Sequence, residues 1–261
     1  MSELIATANS AISNLLTNYP SMDALEALRE AYYLTAPYDL LSFDSFSSVS
    51  RMVLNLATSG GATVSQETLE AAIKVLSNLS KIRLSSEAEQ RELTNTVSET
   101  TSQIIKANLA SNPVVETDEI KVRVEEFMSS QTAIVAPSSD ESVIIPPGVS
   151  QCEGGSSKLS TISYKALTYS WRMNDNQLRD SSVFSVKLYC DAVKERVTNL
   201  EDEIRLEFII RSRRGLELLG KLNSGEITQK QAIDAEFFEC RFYDEASDSL
   251  SSEGCRVVRI T

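Results

Sequence analysis

Few side chains in this sequence could do chemistry, and their types narrow what that chemistry can be. There are four cysteines, Cys152, Cys190, Cys240 and Cys255, and no histidine. Without histidine the chain lacks the commonest general base near neutral pH and the commonest metal ligand. Neither a Ser-His nor a Cys-His nucleophile can be assembled. The cysteines show no C-x-x-C pair, so the usual zinc spacing is missing. Carboxylates are plentiful, 37 Asp plus Glu, but no pair stands out from a background of surface acids, and no phosphate-binding loop is present. The reading is of a non-enzyme, with no catalytic residue, no cofactor and no metal. What remains for the cysteines is to stay reduced as small buried hydrophobes or to pair as disulfides, and four allow three pairings.

The elements that must position these residues come from a chain of 261 residues, 42% hydrophobic and 24% charged. That is a globular composition, long enough for one large domain or two modest ones. With 25 Lys plus Arg against the acids, the net charge is −12. Such a field disfavours nucleic acid and anionic membrane surfaces and suits basic partners. No apolar run has the length of a membrane span, so direct membrane insertion of this segment is not expected. The N-terminal "MSELIATANSAISNLL" carries an acid at Glu3 and frequent polar residues, unlike a signal peptide.

The first half has helical grammar. In "PSMDALEALREAYYL", Ser21 reads as an N-cap with Asp23 in the first turn, and Leu25, Leu28 and Tyr32 share a face. Phe46, Val49, Val53 and Leu56 repeat the pattern up to Gly60 and Gly61. Ser65 reads as the cap of a helix striped by Leu69, Ile73, Leu76 and Leu79. A longer helix from about Ser86 carries Leu93, Val97, Ile104 and Leu109 and ends before Pro113. "DEIKVRVEEFMSS" reads as a last helical stretch. The linker, Ser138 to Ser157, is rich in Ser, Gly and Pro, and its short run Val143 to Ile145 suits an edge strand.

Beyond it the period becomes two. "STISYKALTYSW", "SSVFSVKLYC" and "EIRLEFII" alternate, which predicts an antiparallel sandwich. Val183, Ser185, Lys187 and Tyr189 share one face of a strand, and Phe184, Val186 and Leu188 share the core face. A short helix at Gly215 to Leu222 and a turn at "NSG" interrupt the strands, which resume near Phe237. The predicted fold is α+β: a helical subdomain, residues 1–137, packed on a β-sandwich subdomain, residues 138–261.

The tail "ECRFYDEASDSLSSEGCRVVRIT" resembles the first half of the proteolysis-site (GPS) motif that closes GAIN domains, the autoproteolysis-inducing domains of adhesion receptors and polycystin-like membrane proteins. That motif has a cysteine, aromatics followed by Asp or Asn, then a Trp shortly before Gly-Cys. Here stand Cys240, Phe242, Tyr243 and Asp244, then Leu250 in the place of the Trp, then Gly254 and Cys255. Upstream, "SSVFSVKLYCDAVKERVTNLEDEIRLEF" is similar to the polycystin version, a strand followed by "V-x-N-L" and an alternating strand. The specific likeness covers about the last 80 residues; the helical half matches in kind.

The resemblance implies a disulfide-bonded glycoprotein module on the extracellular face of the cell surface, the ciliary membrane included. Its implied partners are the rest of a larger membrane protein or a cleaved C-terminal strand, with a protein ligand as a further candidate. In the family, a further cysteine pair and a His-Leu-Ser/Thr tripeptide follow, and the chain breaks before the Ser or Thr. This sequence reaches Thr261 without them, so the tail cysteines lack their family partners. One of the three open pairings has them bridge each other, Cys240 with Cys255, with Cys152 to Cys190 as the second bridge. Asn78-Leu79-Ser80 is the one glycosylation sequon. Trp171, the sole tryptophan, reads as a core or rim aromatic, and "RSRRG" at Arg211 to Gly215 as a solvated basic loop or a contact for an acidic partner. The alternative to the receptor module is an intracellular α+β scaffold or adaptor with reduced cysteines.

Self-cleavage needs a hydroxyl aligned on a strained peptide and a base beside it. With no histidine in the sequence, the purified polypeptide should run as one band after prolonged incubation at neutral and mildly alkaline pH. Two fragments, the second beginning with Ser or Thr, would contradict this.

Overall fold

The computed structural model describes residues 2–58, 64–84, 86–128, 130–138, 141–149, 152, 157–165, 183–194, 203–208, 213–234, 242–244 and 249–251. The chain forms two compact units, residues 1–168 with 182–208, and residues 169–181 with 209–261.

The first unit begins with five helices: α1 (Ser2–Asn18), α2 (Ala24–Thr35), α3 (Phe43–Thr58), α4 (Gln66–Leu79) and α5 (Glu87–Ala107). The apolar stripes are the reason they fold. Phe46, Val49, Val53 and Leu56 of α3, Leu69, Ile73, Leu76 and Leu79 of α4, and Leu93, Val97 and Ile104 of α5 are all buried in one core. Ser65 and Ser86 cap α4 and α5, each hydroxyl accepting an amide of the first turn. At α2 the cap is Asp23 and not Ser21. Its carboxylate accepts from the amides of Leu25 at 3.0 Å and Glu26 at 3.3 Å, and its charge complements the helix terminus. Ser21 closes a preceding 3-10 turn, its hydroxyl donating to the carbonyl of Asn18.

Strands begin earlier than the sequence pattern suggests. Residues 118–130, expected to be helical, hold β2 (Ile120–Phe127), and β1 (Val114–Glu116) and β3 (Ala133–Ser138) flank it. "IKVRVEEF" alternates, and its β-branched residues pack well on a pleated surface. The helical part of the first unit therefore ends near residue 111, well short of 137. The remaining strands of this unit are β4 (Glu141–Ile145), β5 (Ser157–Tyr164), β6 (Val183–Cys190), β7 (Val193–Lys194) and β8 (Arg205–Phe208).

They form two antiparallel sheets, one ordered β1-β2-β5-β6-β7 and the other β3-β4-β8. β4, expected at an edge, is the middle strand of the smaller sheet, because β8 crosses over to pair with it. The sheets pack face to face through Phe127, Leu159, Phe184, Val186 and Leu188 on one side and Val135, Val143, Ile145 and Ile204 on the other. The opposite face of the larger sheet carries Ile120, Val122, Val124, Ile162, Tyr164 and Tyr189 into the helical core. The result is α+β: a helical layer on an antiparallel sandwich. Burial holds the Tyr189 phenol above its ordinary pKa of 10.0.

Polar ties join the layers. The Lys187 ammonium donates to Ser102 Oγ at 2.8 Å, and Tyr164 OH to the carbonyl of Ser98 at 3.4 Å. Lys158 Nζ donates to the Leu109 carbonyl at 2.8 Å and to Asn112 Oδ1 at 2.7 Å, where the chain turns from helix to strand. Asn112 takes the left-handed conformation there, φ 47°, which asparagine tolerates better than most residues.

The second unit contains α6 (Arg213–Asn223), α7 (Gln229–Asp234), β9 (Phe242–Asp244) and β10 (Ser249–Ser251) among its described residues. Gly225, φ 78°, ends α6 in the expected "NSG" turn, with the Glu226 amide donating to the Lys221 carbonyl. α7 lies in a stretch for which the sequence pattern predicts no helix. A reciprocal cap opens it: the Gln231 amide donates to Thr228 Oγ1, and the Thr228 amide to Gln231 Oε1.

Asn108 is the buried amide that joins α3, α5 and the residue Val64 ahead of α4. Its Nδ2 donates to the carbonyls of Ala57 at 3.1 Å and Ile104 at 2.9 Å, and its Oδ1 accepts the Val64 amide at 3.0 Å. Asn108→Ala removes the side-chain partners of the Val64 amide and the Ala57 carbonyl, while Ile104 keeps the Asn108 backbone amide, so unfolding in urea should show a loss of about 2 kcal/mol with an unchanged slope. Asn95→Ala, on an exposed position, should change stability by less than about 0.5 kcal/mol.

Candidate functional site

Two places collect the residues singled out in the sequence, one in each unit. In the first unit β6 and β7 form a hairpin whose turn is Asp191–Ala192, with Cys190 paired to Val193 across it. Both turn residues have positive φ, 46° at Asp191 and 67° at Ala192. That handedness lets a two-residue connection follow the twist of its strands, usually with Asn or Gly in these places. Aspartate tolerates it; alanine has no side-chain compensation. Because "CDAV" contains no glycine, no turn signal is legible here.

On its other side Cys190 pairs with Ser157, the first residue of β5. Cys152 lies five residues earlier in sequence, and its sulfur is bonded to that of Cys190, with the Cα atoms 5.4 Å apart. The bridge closes a loop with a sequence separation of 38. In the chain-entropy account a loop of this size contributes about 4 kcal/mol by restricting the unfolded chain. The expected pairing of Cys152 with Cys190 is thus present; Cys240 and Cys255 lie outside the described residues.

The second place is the tail. β9 and β10 are an antiparallel pair in which Phe242 faces Ser251, Tyr243 faces Leu250 and Asp244 faces Ser249. Tyr243 and Leu250, the aromatic and the residue in the tryptophan's place, are therefore direct cross-strand neighbours. Gly254 and Thr261 fall outside the described residues, as do Trp171, Arg211, Ser212 and the "V-x-N-L" of Val197 to Leu200. Arg213 to Gly215 open helix α6 and are not a loop. Among the described residues the last strand of the sandwich is β8, which ends at Phe208, and residues 209–261 belong to the separate unit.

Asn78 has a structural role that opposes a sugar. It is buried in α4, and its Nδ2 donates to the Tyr32 carbonyl at 3.1 Å and to Thr35 Oγ1 at 3.3 Å, joining α4 to α2. The nitrogen that would carry a glycan is the one making these bonds. Along α5 an open surface depression is lined by Glu87, Arg91, Glu92, Asn95 and Glu99. Their three- and four-residue spacing makes this one solvated helix face.

No family model, no curated protein and no solved structure matches this chain.

The left-handed alanine gives a direct check on the β6–β7 turn. Ala192→Gly should raise the unfolding free energy by about 1 kcal/mol, since glycine adopts this φ without steric cost. A loss of stability in the same denaturant titration would show that the turn is not built this way.

Proposed function

We propose that this chain is a non-enzymatic extracellular module of GAIN type from a polycystin-like or adhesion-receptor membrane protein. It acts as a rigid coupling element between an ectodomain and the membrane-embedded part of the same protein. The observation that carries the reading is the Cys152–Cys190 bridge, which fastens the segment before β5 to the hairpin at the edge of the central sheet. Structural bridges of this kind persist in oxidising compartments. Two further observations support it: the helical layer on a sandwich, and the cross-strand pairing of Tyr243 with Leu250 within the tail motif.

A coupling element must resist deformation. A sheet covered on both faces, tied to α5 by Lys187 and Tyr164 and braced at one corner by a disulfide, is stiff in the required sense. No reacting group needs to be positioned for that role.

The experiment is peptide mapping of protein secreted from a eukaryotic host, alkylated before and after reduction. The expected result is a Cys152–Cys190 cross-linked peptide in the unreduced sample, with Asn78 unglycosylated. Cys190→Ser should then lower stability by about 4 kcal/mol relative to the oxidised protein. Alkylation of Cys152 and Cys190 without reduction would overturn the extracellular reading in favour of the intracellular scaffold.

A further inference from the structure

The corner that holds the disulfide also holds an acid. The sulfurs of Cys152 and Cys190 and a carboxylate oxygen of Asp191 lie within 4.8 Å of one another. We propose that reduction converts this corner into a binding site for one thiolate-preferring divalent cation of the zinc class, held by Cys152, Cys190 and Asp191. The bound ion then takes over the bracing that the disulfide supplied. The sequence offers the Cys152–Cys190 pair but not the acid beside it, because the two sulfurs are separated by 38 positions and meet Asp191 only through the β5–β6 ladder and the β6–β7 turn.

The backbone geometry suits the exchange. Two thiolates on one tetrahedral zinc, each about 2.3 Å from the metal, lie about 3.8 Å apart. Opening the bonded sulfurs to that spacing needs side-chain rotation alone, because the Cα atoms are already 5.4 Å apart. Cys190 stays fixed meanwhile by its pairing with Ser157 and Val193. Asp191, immediately after it in a tight left-handed turn, supplies the oxygen ligand. Three protein ligands leave the fourth position to water. Soft thiolates select zinc or cadmium over magnesium or calcium.

The chemistry balances in two steps. A dithiol reductant gives up two electrons and two protons: its own sulfurs become a disulfide, and the Cys152–Cys190 bond becomes two thiols. The divalent ion then displaces both thiol protons, so binding tightens as pH rises.

The test uses the full chain carrying Cys240→Ser and Cys255→Ser, reduced with a phosphine, freed of reductant anaerobically and titrated with Co2+ and then Zn2+. The expected result is one Co2+ per chain, with a thiolate-to-cobalt charge-transfer band that zinc abolishes, and no binding by the oxidised protein. Adding Asp191→Asn should weaken binding by about tenfold or more, as losses of metal-site partners do. Circular dichroism must show the reduced protein folded, and the same protein in urea should lose the site. Absent binding, binding indifferent to Asp191→Asn or to urea, or unfolding on reduction would each overturn the proposal. None of these outcomes bears on whether the disulfide forms in secreted protein.

Discussion

The larger sheet of the first unit is buried on both of its faces, and the rest of that unit depends on this constraint. Along β2 the residues Ile120, Val122 and Val124 turn to the helices, while Phe127 turns to the smaller sheet. Along β5, Ile162 and Tyr164 go to the helices and Leu159 to the other side. Because the side-chain period of a strand is two, sliding β2 or β6 by one residue against β5 would exchange the two cores. The paired registers, Ile120 with Tyr164 and Tyr164 with Val183, are therefore fixed from both sides at once. An ordinary half-exposed antiparallel sheet has only one such restraint.

The remaining devices protect this arrangement where alternation cannot. Lys158 meets the Leu109 carbonyl at the change from helix to strand, as a second, charged donor beside the Asn112 amide that closes the turn there. Lys187 lies on the helical face of β6, half-buried opposite Ser160, and its ammonium donates to Ser102 of α5. At the far end of β6, the turn through Asp191 and Ala192 reverses the chain, and the disulfide ties Cys152 to the end of β6. Redox state, turn geometry and sheet register thus meet at one corner, so the same few residues serve both the proposed mechanical role and the proposed metal site.

The helical stripes are legible because burial against one core imposes a period of 3.6, and Phe46, Ile73 and Leu93 all sit where that period predicts. The cap of α2 is ambiguous in sequence because Ser21 and Asp23 are both good caps, and only the local path of the chain chooses between them. The strand β2 reads as a helix because "EIKVRVEEF" joins a strand's alternation to helix-favouring charged residues; tertiary pairing with β5 decides the matter. The short helix α7 does carry a local signal, Thr228 three residues before Gln231, but one too brief to stand out from a polar turn. Nothing in the basic run "RSRRG" marks its last three residues as the start of a helix.

The α+β class, the helices-then-strands order and the absence of any histidine-based chemistry are legible in local periodicity or composition; so is the apolar face of Phe184, Val186 and Leu188 on β6, but not that the opposite face, with Val183 and Tyr189, packs into a core of its own. Only the tertiary structure decided which strand sits at an edge, that β8 crosses to the smaller sheet, and that Asn78 is a buried tie. It also brought Cys152 to Cys190 with Asp191 beside them. These are contacts between residues tens of positions apart, set by ladder pairing and by the requirement that buried polar groups find partners. Local sequence carries no trace of such requirements until the chain has closed on itself.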